Sequence, residues 1–324
     1  EKHRDAETWG IHLLDLAEQG LKPDHIIADA GKGLRAGQAL AWPGVPCFGD
    51  VFHALSDFRK LSTFLDNRAY GAIKALESVE KQMIRAKKHS QGNKLSKKLG
   101  NAKENEENYI NLAQDVSALF DWLRSDILSL AGRDPATRRE LFDFVVEELR
   151  KLEPLCAYRI GPVRRSLENQ RDDLLGFVTV LDDKLKEISR QFDIALHPVR
   201  AVCELQGMDE GSQIRWEHEA RVREQLKGQF YNVEQAVIQA MNETPRASSM
   251  IENLNGRLRN YFFLRRTLGS HYLDLLRFFL NHRIFMRSER VERTGKSPAE
   301  LLTGQKHSHW LELLGFTLFR RQTA

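Results

Sequence analysis

The chain has 324 residues, enough for a sizeable core and, by usual domain sizes, about two domains. Lys and Arg number 49 against 45 Asp and Glu, a formal charge of +4, so the case for a polyanionic partner rests on where the charge sits. The three cysteines, Cys47, Cys156 and Cys203, are far apart and form no C-x-x-C, which speaks against a disulfide framework and a structural zinc site and suits a reducing, intracellular setting. No run approaches the ~20 apolar residues of a membrane helix, so no membrane partner is expected.

In chain order, residues 5–19 place Trp9, Leu13, Leu16 and Ala17 at helical spacing, with Gly20 as a stop. "LKPDHIIADAGKG" is a short apolar run closed by Asp29 and two glycines, which predicts a buried strand ending in a turn. "GVPCFGDVFHALSDF" predicts a second strand leading into a helix at about Asp50. From about 54 to 240 the pattern is helical. Leu112, Val116, Leu119, Leu123, Ile127 and Leu130 form one apolar seam; Leu174, Val178, Leu181, Leu185, Ile188 and Phe192 form another. An intramolecular bundle is the favoured reading, with a dimerising coiled coil as the alternative. Asp134-Pro135 marks a helix start. Two helices are expected at about 249–268 and 270–291, the second with Leu273, Leu276, Phe279, Leu280 and Phe285 on its apolar side. Ser297, Pro298 and Glu300 spell a capping box for a last short helix.

Gly31-Lys32-Gly33 after a strand resembles a phosphate loop, but the glycine and the Ser or Thr that such a loop requires are replaced by Ile26 and Gly33. What remains is Asp29 at the carboxyl end of a buried strand, where open α/β sheets place ligand-binding residues; the alternative is a turn former. Cys47 reads as a small buried residue, and Asp50 and His53 as a supporting pair around a carboxylate centre.

In "RASSMIENLNGRLRNYFFLRR" one carboxylate, Glu252, stands among Arg246, Arg257, Arg259, Arg265 and Arg266. On a helix, Ile251, Leu254, Leu258 and Phe262 share one stripe, while Glu252, Asn255, Arg259 and Arg266 share the strip beside it. Glu252 is either the partner of Ser249 in a capping box or a metal ligand held against nucleic acid. Capping leaves the arginines unexplained, and Arg283, Arg287 and Arg290 recur further on; guanidinium groups in such numbers suit phosphates. Residues 81–103 contain no acidic side chain and read either as a solvated linker or as a DNA-backbone grip through Lys87, Lys88, Lys97 and Lys98. Trp216 reads as a buried anchor for its helix, with stacking on an unpaired base as the alternative.

Taken together, "IIADAGKGL", "GDVFHAL", a long helical insertion, "SSMIENLNGRLRNYFFLRR" and "NHRIFMRSERVERTGKSPAELLTG" resemble the DDE transposases of bacterial insertion sequences, most closely ISNCY-like elements, within the RNase H-like superfamily of the retroviral integrases. The resemblance covers most of the chain. It implies an α/β, predominantly helical protein: a partial RNase H-like core interrupted by a large all-α insertion. Residues 1–57 would open the core, 58–240 form the insertion, 241–295 return the core helices with the catalytic glutamate, and 296–324 form a tail. It further implies that Asp29 and Glu252 are catalytic metal ligands, supported by Asp50, His53 and Asn255. Arg257, Arg259, Arg265 and Arg266 would hold DNA. Mg²⁺ or Mn²⁺, two ions, would be the cofactor. The partners would be transposon ends, target DNA and further copies of the chain, in the bacterial cytoplasm at the nucleoid. The first catalytic aspartate of that family has no match here; it is expected upstream of Glu1, with the opening strands, and the segment alone is expected to be inactive. A non-catalytic DNA-binding protein derived from a transposase is the alternative.

Overall fold

The computed structural model describes residues 5–29, 31–87, 93–246, 254–256, 258–261, 269–288 and 291–317. The protein is predominantly helical, 76% helix against 3% strand, as the sequence leads one to expect. It divides into two compact units, Glu1–Ser249 and Met250–Ala324.

The first unit opens with α1 (Ala6–Glu18), capped by Asp5, whose side chain accepts from the backbone N–H of Thr8. Gly20, at φ +96°, then turns the chain. Strand β1 (Ile26–Ala28), helix α2 (Lys32–Ala41) and strand β2 (Cys47–Gly49) form a βαβ unit. The strands are parallel, with Ile26, Ile27 and Ala28 opposite Cys47, Phe48 and Gly49. Helices α1 and α2 cross closely because neither has a side chain at the crossing: a Cβ on Gly37 would lie 2.7 Å from the Gly10 nitrogen.

Helix α3 (Val51–Lys87) starts directly after Asp50 and runs unbroken across residues 57 and 58, where the sequence reading places the edge of the insertion. With α4 (Asn93–Trp122) it makes a long antiparallel pair. A π-helical turn, Leu123–Ile127, ends α4. There follow α5 (Pro135–Leu152), α6 (Ala157–Asn169), α7 (Arg171–Gln191), α8 (Leu196–Leu205), α9 (Gln213–Leu226) and α10 (Phe230–Asn242).

Both predicted seams pack within this one chain, buried except for their last residues, Leu130 and Phe192, which are half-buried, as an intramolecular bundle allows. They meet in two adjoining apolar clusters. The first gathers α3 to α6 with the start of α7, the second α8 to α10 with the rest of α7. Helix α7 therefore runs through both, and it also packs on β2. Cβ atoms on Gly49 and Gly176 would lie 2.9 Å from a Leu174 methyl and 2.3 Å from the Phe48 ring. The bundle is thus seated on the sheet through two glycines. Gly176→Ala should accordingly cost about 1–3 kcal/mol in denaturant unfolding despite alanine's better helix propensity, because the added methyl overlaps the ring. An unchanged or raised midpoint would show that the seat is looser than described.

The carbonyls of the turn after α4 are gathered by two arginines, one buried and one half-buried. Arg138 of α5, 1% exposed, donates from Nη1 to the oxygens of Ile127 and Ser129, from Nη2 to Leu130 (3.1 Å) and from Nε to Arg133 (2.7 Å). Arg246 donates to Leu128 at 2.5 Å. Four consecutive carbonyls are thereby satisfied away from water. Burial draws the Arg138 guanidinium down to about 10 and pushes the neighbouring Cys203 thiol up to about 11. The sequence reading counted Arg246 among phosphate-binding arginines; its guanidinium is instead committed to the turn.

Asp134 caps α5 as expected, accepting from Ala136 and Thr137 N–H and from the Thr137 hydroxyl. The Thr137 hydroxyl, the leading cause, holds its carboxyl below the usual aspartate range. Since the folded-state value is depressed, the stabilisation is present above the unfolded value near ~4 and is lost as pH falls through the folded one. Asp134→Ala should cost about 1 kcal/mol at neutral pH. The gap from the parent protein should close in acid unfolding curves; a gap independent of pH would assign the effect to something other than the charged cap.

Two expectations are corrected. Trp216 is not a buried anchor: it is 65% exposed, its indole N–H bonded to the Glu210 carbonyl at 2.9 Å. It lies in the first turn of α9, whose buried residues, Val222 and Leu226, come two turns later. In the second unit, the helix expected at 270–291 ends at His282 (α11, Ser270–His282). Phe285 leaves helical pairing because the chain folds back on it. Its N–H donates to Lys296 O at 2.8 Å and its carbonyl accepts from Gly295 N at 2.9 Å. The earlier helix, expected at 249–268, is described only as helical turns at 254–256 and 258–261.

The capping box is present at α12 (Pro298–Thr303). Ser297 and Glu300 exchange side-chain and backbone bonds, and the Ser297 N–H draws the Glu300 carboxyl below its usual value. A last turn, α13 (Trp310–Leu313), completes this unit.

Candidate active site

The βαβ unit brings two aspartates to one edge. Asp29 follows β1 and Asp50 follows β2; because the strands are parallel neighbours in register, both lie at carboxyl ends, on adjacent strands. The Asp50 N–H extends the ladder by donating to Ala28 O at 3.0 Å.

Their side chains differ in setting. Asp29 is exposed. Its Oδ1 accepts from Gly31 N at 3.0 Å, a turn that leads into α2, and a Cβ on Gly31 would sit 2.8 Å from that oxygen. Asp50 is 3% exposed and holds the start of α3: Oδ1 accepts from Phe52 N at 2.9 Å, and Oδ2 pairs with Nδ1 of His53 at 2.8 Å. Asp50 and His53 are thus joined to each other by a hydrogen bond. The first helical residue, Val51, donates its N–H to Arg246 O at 3.4 Å, tying this edge to the segment that precedes 247–253.

Two side chains at this edge escaped the sequence reading. Arg35 of α2 donates from Nε to the main-chain carbonyl of Asp29 at 3.0 Å, and from Nη1 it forms an ion pair with Asp173, in the first turn of α7. Its Nη2 is buried without a hydrogen-bond partner among the described residues. Cys47 lies beside this pair. Burial raises its thiol, with Arg35 pulling down and Asp173 pushing up. No local signal marks the contact, since 138 residues separate Arg35 from Asp173.

Glu252 lies outside the described residues, as do Arg257, Arg265, Arg266 and Lys88. Asn255 is half-buried and Arg259 exposed, both on the described turns of the second unit. Lys87 is the last residue of α3. Lys97 and Lys98 are exposed on α4, and Lys98 reaches Gln82 of α3 at 3.4 Å. Within the second unit Arg283 and Arg287, with Asn260 and Tyr261, line a cleft of about 350 Å³. Among the described residues no three His, Cys, Asp or Glu side chains gather as a metal site. No described helix is long and apolar enough to cross a membrane.

Comparison of the chain with family models, with curated proteins and with solved structures returns no match. The fold and the site define the chain as a predominantly helical protein with a parallel βαβ unit that presents two aspartates at one edge.

Proposed function

We propose that the protein is a DDE-type DNA transposase that cleaves and transfers DNA strands at transposon ends, on an RNase H-like core carrying the helical bundle as an insertion. The observation that supports the reading best is the pair of aspartates at the carboxyl ends of adjacent parallel strands, one exposed and one buried in a hydrogen-bonded support. That edge is where parallel sheets hold ligands. Its sequence context, "IIADAGKGL" followed by "GDVFHAL", is the one that resembles the transposases.

In this reading Asp29 and Glu252 are the metal ligands this chain contributes, and an exposed carboxylate is the hard oxygen donor that Mg²⁺ or Mn²⁺ prefers. Two such ions, when bound, supply charge stabilisation for in-line displacement at phosphorus. Asp50 and His53 keep the start of α3 fixed beside Asp29, and Asn255 supports Glu252. Arg257, Arg259, Arg265 and Arg266 bind phosphates near the reacting strand, and Lys87, Lys88, Lys97 and Lys98 bind them at the far end of the α3–α4 pair. The protein acts as a homo-oligomer on two DNA ends in the bacterial cytoplasm.

The experiment is a cleavage assay with the complete protein and a supercoiled plasmid carrying the sequences that flank its reading frame. Nicks at those flanks in Mg²⁺, and none in EDTA, are expected. Salt-sensitive DNA binding without metal-dependent nicking would instead favour a non-catalytic DNA-binding protein. Absence of binding at low salt would end both readings.

A further inference from the structure

We infer that Arg35 is a positioning residue for Asp29, and that through Asp173 it makes the geometry of the Asp29 turn depend on the seating of the helical bundle. The inference rests on the reading of Asp29 as a metal ligand. It adds to that reading a residue on α2 and one on α7 for which the resemblance gives no role.

The argument begins with what holds Asp29. Its strand is three residues long, and the carboxylate stands on the turn just past it. Such a turn is fixed by its backbone bonds. The Gly31 N–H donates to Oδ1 of Asp29, the Gly31 carbonyl accepts from the Arg35 N–H at 3.1 Å, and the one side-chain donor to the Asp29 carbonyl among the described residues is Arg35 Nε. That bond reaches back six residues, over the first turn of α2.

Arg35 is in turn held from outside the βαβ unit. Its Nη1 pairs with Asp173, and α7 is locked to β2 one residue further on, where Leu174 packs against Gly49. The guanidinium therefore spans two bodies: the turn carrying Asp29 and the helix that runs through both apolar clusters of the bundle. A planar fork with donors along two edges can serve both acceptors at once; a lysine ammonium, a single point on a flexible stem, cannot hold both in the same geometry. The third nitrogen, Nη2, is buried and has no hydrogen-bond partner among the described residues. An arginine kept there at the cost of an unsatisfied donor is better explained by its two directed bonds than by generic packing.

The test uses the complete protein and the variants Arg35→Gln, Arg35→Lys and Asp173→Asn, with three measurements. Hydrogen exchange across residues 29–35 reports the turn, Mn²⁺ titration followed by electron paramagnetic resonance reports metal affinity, and thermal unfolding reports the α2–α7 tie. Arg35→Gln should speed exchange across the turn and weaken Mn²⁺ binding about 10-fold or more, as loss of a group that orients a ligand does. Asp173→Asn should shift both in the same direction by less. Arg35→Lys should restore thermal stability, because the ion pair survives, without restoring Mn²⁺ affinity. Full rescue of all three by lysine would reduce Arg35 to a structural tie and overturn the inference. So would unchanged exchange or unchanged Mn²⁺ affinity in Arg35→Gln. Failure of the parent reading looks different: the unsubstituted protein would then bind no Mn²⁺ and cut no DNA, so the role given to Asp29 would fall and its positioning by Arg35 with it.

Discussion

Glu252→Gln in the complete protein is expected to lower Mg²⁺-dependent DNA cleavage by about 10³-fold or more while leaving DNA affinity within a factor of two or so. The substitution keeps the shape and removes the anionic oxygen. A hard divalent ion loses a ligand, whereas phosphate contacts from Arg257, Arg259, Arg265 and Arg266 are untouched. Asp29→Asn should give the same phenotype. The combined variant should be no worse than either alone, because ligands of one centre act as a unit. If Glu252→Gln cuts as well as the parent protein, Glu252 belongs to a helix cap beside Ser249 and the transposase proposal loses its second ligand. Manganese offers a useful control: it tolerates imperfect ligand sets better than magnesium, so partial recovery in Mn²⁺ would still point to a metal site.

Arg138→Met should destabilise the first unit by about 1–3 kcal/mol, the cost of leaving a buried carbonyl without its donor. Methionine fills a similar volume and spares the desolvation of a charge, and both effects favour the variant. Against them stand the carbonyls of Ile127, Ser129 and Arg133, which lose their Arg138 donors, the first in a buried place and the other two in partly buried ones. A buried carbonyl left unsatisfied costs about 1–3 kcal/mol, so the losses dominate. Leu130 keeps a weak thiol donor from Cys203, and Leu128 keeps Arg246. Arg138→Lys should fall between, since one ammonium reaches fewer of the carbonyls. Urea unfolding of the parent protein and the two variants would rank them. A loss below about 1 kcal/mol for methionine would mean that the turn repacks and finds other donors.

Much of the helical architecture was legible because each seam repeats its apolar residues at the helical period, and Asp134-Pro135 announces its own helix start. The two short strands of the opening were legible too, from short apolar runs stopped by an aspartate, but the helix between them, α2, was not. What could not be read is how these pieces meet. The close approach of Gly176 to Phe48 joins residues more than a hundred positions apart, and a glycine in the middle of a helix carries no label saying which ring it makes room for. The same holds for Arg35 and Asp173, each an unremarkable charge in its own stretch. Arg246 was misassigned because a guanidinium that binds carbonyls and one that binds phosphates look alike in a sequence. Trp216 was misassigned because residue type was weighed above its place in the helix, before the buried turns begin. At the candidate site, the strand ends that carry Asp29 and Asp50 were legible from the apolar runs before them; Glu252 lies outside the described residues.

The long helix that leaves Asp50 has a mechanical consequence. At 37 residues α3 is a rod of ~55 Å whose foot is Val51, 1% exposed and bonded at its own nitrogen to Arg246. Over its first half it is flanked by α6, as far as Arg68, which donates to the Tyr158 hydroxyl at 3.3 Å; α4 lies beside it farther out. Tilting such a lever by ~5° sweeps its tip through ~5 Å while displacing the foot by a fraction of an ångström. The two lengths run in reverse as well: a displacement imposed at the tip reaches the aspartate at the base as a far smaller one.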